Sequence, residues 1–190
     1  MHFDNQRIIP AVRSMKDFDE LLNRDFTYMI LLETHLAQLP SIMRAAKVRN
    51  KKILLHADLV QGLKHDEAAT QFLCQMIKPA GLISTHSTVI ATAKKHGLLG
   101  IQRIFLIDSH SLETSYRVLK SSQPDYIEVL PGVLTDVIRE ISFGTRIPVL
   151  AGGFIRTEAE IVSILESGAT AVTTSHRDLW GLSLSINRES

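Results

Sequence analysis

Apolar and polar residues follow two alternating patterns along this chain. Short runs of consecutive apolar residues, beginning with residues 8–12, are typical of strands that are buried on both faces. Each run is followed by a longer segment with apolar residues at helical spacing, such as Met15, Phe18, Leu21 and Leu22. This alternation predicts eight strands, over residues 8–12, 28–35, 52–60, 81–85, 102–108, 125–131, 148–153 and 170–175.

Helices are predicted between these strands. Ser14 and Ser87 are candidate N-caps, Thr157 and Glu160 fit a capping box, and Gly97 is suited to follow a helix end. A short helix is expected after the last strand. The other predicted helices cover residues 15–24, 39–50, 65–78, 87–97, 111–122, 133–144 and 157–168.

Strands that alternate with helices predict a parallel sheet, and eight βα units close into a TIM (βα)8 barrel. The alternative is an open, doubly wound parallel sheet. The 190 residues are fewer than the roughly 250 typical of such barrels, so we expect a compact α/β barrel with short loops. We predict one domain over residues 1–190, with its core at about 8–180 and a polar tail at 182–190.

The composition narrows the class of function. The chain has 21 Lys and Arg against 20 Asp and Glu, for a net charge of +1, so a nucleic-acid site must be a local patch. The single cysteine, Cys74, cannot form an intramolecular disulfide, and its apolar neighbours predict a buried thiol. No signal peptide and no run of about 20 apolar residues is present, so we expect a cytoplasmic protein.

Polar residues gather at the predicted carboxyl ends of the strands, which form the working face of a TIM barrel. Because side chains alternate along a strand, Glu33 and His35 are expected on one side, and so are His56 and Asp58. Mutual pairing in a structural network is the alternative explanation. The set comprises Arg13, Glu33, His35, His56, Asp58, His86, Asp108, Glu128, Ser175 and His176.

The loops after the seventh and eighth strands indicate a phosphate site. AGGFIRT and TTSHRD span the ends of these strands and the loops after them, and the corresponding loops of TIM barrels often bind phosphate through backbone N–H groups and a helix N-terminus. Arg156 can add positive charge. The alternative is a tight glycine turn with an ordinary helix cap. The candidate phosphate ligands are Gly152, Gly153, Thr174 and Ser175.

A metal site and a basic patch are the other candidates. His35, His56 and His86 could converge with Asp58 on a divalent ion, but no H-x-H or H-E-x-x-H motif is present and we assign no metal. The densest basic run lies between the second helix and third strand, and a second cluster is Lys94, Lys95 and His96. Such runs usually mark solvated helix ends. The basic run comprises Arg44, Lys47, Arg49, Lys51 and Lys52.

Several long segments resemble the bacterial glycerol-3-phosphate-responsive antiterminators. They occur in order over about residues 8–180 and are IIPAVR, HADLVQGLKHDEAAT, KPAGLIST, IQRIFLID, PDYIEVLPG, PVLAGGFIRT and GATAVTTS. The resemblance implies a TIM barrel that binds glycerol 3-phosphate, needs no cofactor, and acts on the leader of a messenger RNA to prevent premature termination. His86 stands where an arginine is expected in close relatives, which would weaken a contact with an anion near pH 7.

The resemblance gives the candidate residues their roles. The phosphate would lie on Gly152, Gly153, Thr174 and Ser175, and the RNA on the basic run from Arg44 to Lys52. A homodimer would enlarge the small RNA surface of one near-neutral barrel. The glycerol hydroxyls would contact residues among Arg13, Glu33, His56, Asp58, Lys64 and Glu128.

The alternative function is a TIM-barrel isomerase, lyase or phosphodiesterase that acts on a small phosphorylated substrate. Glu33, Asp58 or Glu128 would then supply the acid or base. A Schiff-base aldolase would need a lysine within a strand, whereas Lys52 begins the third strand and Lys64 follows it.

Overall fold

Eight parallel strands form a closed barrel in the computed structural model, which describes residues 2–182. Each strand pairs with its neighbours in chain order, and β8 closes the barrel by pairing with β1. The prediction of a TIM barrel is confirmed, and the alternative of an open sheet is wrong. The strands are β1 (Ile8–Val12), β2 (Tyr28–Leu31), β3 (Lys52–His56), β4 (Gly81–Ser84), β5 (Leu99–Phe105), β6 (Tyr126–Leu130), β7 (Val149–Gly152) and β8 (Ala171–Thr174).

Helices surround the barrel, and two of the predicted caps are present. The Ser14 side chain accepts a hydrogen bond from the Asp17 N–H, and Thr157 and Glu160 form the capping box. The prediction that Ser87 is an N-cap is wrong, because the helix begins at Ser87 itself and His86 occupies the N-cap position. The helices are α1 (Met15–Leu22), α2 (Leu39–Val48), α3 (Glu67–Phe72), α4 (Ser87–Lys95), α5 (Ser109–Ser122), α6 (Thr135–Thr145) and α7 (Glu158–Glu166).

Several predicted strands were too long. The apolar runs at 28–35 and 52–60 continue past the barrel strands into two-residue segments, Thr34–His35 and Val60–Gln61, which pair with each other outside the barrel. A 3-10 turn at Ala57–Leu59 separates His56 from this outer pair. Leu32, Ala57 and Val60 lie beyond the barrel strands but are buried, so their hydrophobicity extends the strand pattern without extending the strand. Asp58 therefore lies on a turn rather than beside His56 on one strand face.

Two more elements differ from the prediction in ways that affect the candidate sites. Asp108 caps α5 by accepting a hydrogen bond from the Ser111 N–H, and it does not end a strand. The third predicted helix is α-helical only as far as Phe72, where α3 ends. A π-helical turn at Leu73–Ile77 follows directly. Cys74 lies on this turn and is buried, as predicted. A 3-10 turn at Arg177–Leu179 follows β8, and the part of the predicted tail beyond residue 182 lies outside the described residues.

The barrel interior is apolar from the amino-terminal ends of the strands to their middle. Ile9, Ile30 and Leu150 belong to the interior cluster. Phe3 covers the amino-terminal end, where its ring centroid lies 5.0 Å from that of Tyr28 and 4.5 Å from that of Tyr126. Any opening into the barrel is therefore expected at the other end. Over residues 2–182, no helix is long and apolar enough to cross a membrane.

Candidate functional site

A buried polar layer lies at the carboxyl end of the barrel, above the apolar interior. The Arg103 Nε donates to a Glu128 carboxylate oxygen at 2.7 Å, and the Thr173 hydroxyl donates to the other oxygen at 2.8 Å. Arg103 and Glu128 are register partners on β5 and β6, and their side chains are only 9% and 1% exposed. Sequence reasoning missed Arg103, although a charged residue inside the apolar run IQRIF was an available signal.

Gly152 leaves the space that this layer occupies. A Cβ atom at Gly152 would lie 2.3 Å from the Thr173 hydroxyl oxygen and 3.4 Å from a Glu128 carboxylate oxygen. The first distance is far below van der Waals contact, so a side chain here would displace the Thr173–Glu128 hydrogen bond. The sequence interpretation treated this glycine as a phosphate contact, and the structure adds a steric reason for it.

A cavity of about 360 Å³ opens above the polar layer. This volume lies within the range of small-molecule sites. The cavity wall contains three arginines, Arg13, Arg103 and Arg156, and one carboxylate, Glu128, which is already paired with Arg103. The net positive charge of the wall favours a small anion.

Several donors around this cavity have no protein acceptor among the described residues. They include the backbone N–H groups of Phe154, Ile155 and Ser175. Arg103 forms a hydrogen bond to a described residue only through its Nε. Its two terminal nitrogens have no such partner and are accessible to solvent. Such donors are what a phosphate or carboxylate needs at a loop site.

The N-terminus of α7 is less available than the sequence suggested. The Arg156 and Thr157 N–H groups donate to one Glu160 carboxylate oxygen at 2.7 and 2.9 Å. The helix therefore satisfies these two groups with its own side chain, and the donors without a partner lie earlier in the loop. Gly153 and Phe154 bend this loop through positive φ angles of 81° and 61°.

The four predicted phosphate residues all line the cavity, at the ends of β7 and β8. Ser175 is exposed to it. Thr174 also supports the loop, because its hydroxyl accepts from the His176 N–H at 3.1 Å and its carbonyl accepts from the buried Trp180 indole at 2.9 Å. The residues placed together are Gly152, Gly153, Thr174 and Ser175.

The six predicted polyol residues divide into two groups. Arg13 and Glu128 line the cavity, whereas Glu33, His56, Asp58 and Lys64 do not. Glu33 reaches it only indirectly, through an exposed ion pair of 3.2 Å with Arg13.

His56 lies in the buried polar layer and is only 3% exposed. Its Nδ1 is buried without a hydrogen-bond partner among the described residues. Burial, followed by the charge of Arg103, lowers the pKa of His56 from 6.5 to about 4. The imidazole is therefore neutral at physiological pH.

Asp58 supports the loop after β4. It accepts hydrogen bonds from the Ser84 hydroxyl and from both the N–H and the hydroxyl of Thr85, the latter two at 2.8 Å. Burial alone would raise the pKa of Asp58, but these hydrogen bonds outweigh it and hold the pKa below its ordinary value. Its carboxylate is thus committed to the loop rather than to the cavity.

The histidines considered as metal ligands do not form a metal cluster. Over the described part of the chain, no three His, Cys, Asp or Glu side chains are arranged to hold an ion. The His35 Nδ1 accepts from the Ala37 N–H at 3.2 Å, and His86 stacks on His65 with ring centroids 5.2 Å apart.

The predicted basic run lies near the amino-terminal end of the barrel. Two of its members have structural partners: the Lys51 Nζ donates to the carbonyls of Arg24 and Phe26, and Lys52 pairs with Asp4 at 3.2 Å. Arg44, Lys47 and Arg49 make no ion pair or side-chain hydrogen bond with the described residues.

Comparisons with known proteins agree with this geometry. Residues 8–180 match the family described as glycerol-3-phosphate responsive antiterminator. The chain is 46% identical to a glycerol uptake operon antiterminator regulatory protein from Listeria monocytogenes, whose crystal structure superposes with a TM-score of 0.92 over 95% of this chain and 97% of that chain. An antiterminator-related protein from Thermotoga maritima is 28% identical, with a TM-score of 0.82 over 93% and 99%.

Enzymes also share the fold. A deoxyribose phosphate aldolase from Aeropyrum pernix is 16% identical and superposes with a TM-score of 0.68 over 91% of this chain and 87% of the aldolase. At that identity the likeness establishes the barrel alone. No lysine is among the described residues that line the cavity, so the cavity wall offers no amine for a Schiff base.

Proposed function

The chain belongs to the glycerol-3-phosphate responsive antiterminator family, and from this premise we propose that it binds glycerol 3-phosphate in the 360 Å³ cavity and acts on leader mRNA. The observation that supports the effector site is the wall itself. It carries three arginines and unpaired N–H donors, while its one carboxylate is neutralised by Arg103. A dianion is favoured there and a neutral polyol is not.

We place the phosphate at the ends of β7 and β8. The N–H groups of Phe154, Ile155 and Ser175 and the Ser175 hydroxyl would donate to its oxygens. The glycerol hydroxyls would then face the polar layer, where the Arg103 terminal nitrogens donate and Glu128 accepts. Arg13 and Arg156 contribute positive charge from the rim.

The proposed role is regulatory, without turnover of the effector. Support comes from the described cavity wall, whose residues include no lysine, and from Glu128, whose two oxygens already accept from Arg103 and Thr173. A carboxylate held in this way is a poor general base. We further propose that the protein acts in the cytoplasm and as a homodimer.

The effector test compares ligands by calorimetry. Glycerol 3-phosphate should bind, inorganic phosphate should bind more weakly, and glycerol should not bind measurably. Binding of glycerol as tight as that of glycerol 3-phosphate would contradict the anion site. Conversion of glycerol 3-phosphate to any product, followed by NMR, would favour an enzyme instead.

The RNA test uses a labelled transcript of the leader of the glycerol uptake operon from the same genome. Its affinity is measured at a fixed salt concentration with and without saturating glycerol 3-phosphate. An increase with the effector is the expected result. Equal affinities in the two conditions would contradict the proposed coupling.

A further inference from the structure

A second concave surface lies on the amino-terminal side of the barrel. It has a volume of about 730 Å³ and lies between α2, the π-helical turn and the first residues of β3. We refer to it as the α2 groove. It shares no lining residue with the effector cavity.

The α2 groove concentrates positive charge in a chain of nearly neutral composition. Of the described residues that line it, five are cationic and none is Asp or Glu. Arg44, Lys47 and Lys78 form no ion pair or side-chain hydrogen bond with the described residues, so their charges are available to a ligand. Lys51 donates to neutral carbonyls, and burial lowers its pKa, whereas Lys52 shares its charge with Asp4.

Capping of α2 does not account for these cations. The last carbonyls of the helix accept from backbone groups: the N–H groups of Arg49 and Lys51 donate to the Ala46 carbonyl, and the N–H of Asn50 donates to the Lys47 carbonyl. The side chains of Arg44 and Lys47 are therefore not needed at the helix end. Their positions three residues apart place them on one face of α2, toward the groove.

The opposite wall is built by an irregular turn that presents an apolar side chain. The π-helical turn at Leu73–Ile77 buries Leu73 and Ile77 but leaves Met76 70% exposed in the groove. It ends at Lys78 in the left-handed conformation, with φ at 55°. Turns of this kind are frequent at functional sites. Met43 from α2 faces the same groove. Met43 and Met76 together form a flexible apolar floor, and the cations surround it.

We infer that the α2 groove binds a single-stranded segment of RNA. The groove itself indicates a polyanion, and that this polyanion is RNA rests on the proposed function. Arg44, Lys47 and Lys78 contact phosphates, and unstacked bases lie on Met43 and Met76. Single strands are favoured over duplex because only their bases are free to contact an apolar floor. The groove wall contains no aromatic side chain in the described part of the chain, so recognition there depends more on the phosphate backbone than on base identity.

The test is the triple variant Arg44→Glu, Lys47→Glu, Lys78→Glu, compared with a matched control. The control is Lys16→Glu, Lys120→Glu, Arg146→Glu, which changes three cations elsewhere that form no ion pair with described residues. Each set replaces three cations by anions and so shifts the net charge from +1 to −5. The probe is the leader transcript, measured by fluorescence anisotropy with saturating glycerol 3-phosphate at several salt concentrations.

The groove variant should bind the transcript about tenfold more weakly or worse, and its salt slope should fall by about 2, as expected for three lost contacts to single-stranded RNA. The control should stay within about threefold of the unmodified protein. Calorimetry should give both variants unchanged affinity for glycerol 3-phosphate, which verifies that they fold.

Two results would overturn the inference, and they differ in what else they affect. Equal RNA affinity of the groove variant and the control would place the RNA elsewhere and leave the proposed function standing. No binding of the transcript by the unmodified protein, with or without effector, would contradict both.

Discussion

Replacing Arg103 by leucine is the most direct test of the buried polar layer. The change removes the only cation that pairs with Glu128 among the described residues, and Glu128 is 1% exposed. An uncompensated charge of this kind typically costs about 3–5 kcal/mol of unfolding free energy. The lost donor should also weaken binding of glycerol 3-phosphate by at least about tenfold, because a hydrogen bond to a charged group is worth about 1.5–3 kcal/mol.

The double variant Arg103→Leu, Glu128→Leu separates these two effects. Because neither charge remains, most of the lost unfolding free energy should return, and replacement of buried pairs by apolar residues is often neutral. Effector affinity should stay low, since the Arg103 donor is still absent. Arg117→Leu on the exposed face of α5 is the matched control, and it should change stability by less than about 0.5 kcal/mol.

Stability is measured by urea unfolding and affinity by calorimetry at the same pH. A loss below about 1 kcal/mol for Arg103→Leu would refute the assigned burial of the ion pair. Recovery of effector affinity in the double variant would show that Arg103 acts only by neutralising Glu128 and does not contact the ligand.

Three further predictions concern neighbouring residues. Because the pKa of His56 is lowered to about 4, the unfolded state binds an extra proton between pH 6.5 and 4. Stability should therefore fall on acidification, by about 2 kcal/mol between pH 7 and pH 5, and His56→Gln should lose that part of the pH dependence in urea titrations. An unchanged profile would contradict a buried neutral imidazole. Gly152→Ala should cost about 1–3 kcal/mol because of the 2.3 Å approach to Thr173, and Gly144→Ala, whose nearest contact is 3.9 Å, should not destabilise. Similar melting temperatures for the two glycine variants would oppose this steric argument. Ser175→Asp should abolish calorimetric binding of glycerol 3-phosphate through charge repulsion, and retained affinity would remove the phosphate from this loop.

The sequence determined the barrel because its signals are local. The apolar run at Ile8–Val12 matches β1 at both ends, and Thr157 with Glu160 marks the start of α7. Where loop residues are themselves buried, the same signal misleads: the run over 52–60 continues past the end of β3 at His56. Glycines and hydroxyls at the ends of β7 and β8 likewise predicted the cavity loops, because a TIM barrel brings consecutive strand ends together.

The tertiary structure alone decided which polar residues share the cavity. Arg103 lies beside Glu128 because β5 and β6 pair in that register, and no spacing along the chain encodes the pairing. Asp58 leaves the cavity because a turn directs it to Ser84 and Thr85. Lys78 joins Arg44 and Lys47 only because α2 and the π-helical turn pack side by side. Hydrophobic periodicity fixes which face of an element is buried, whereas the partner across that face depends on how the whole barrel closes.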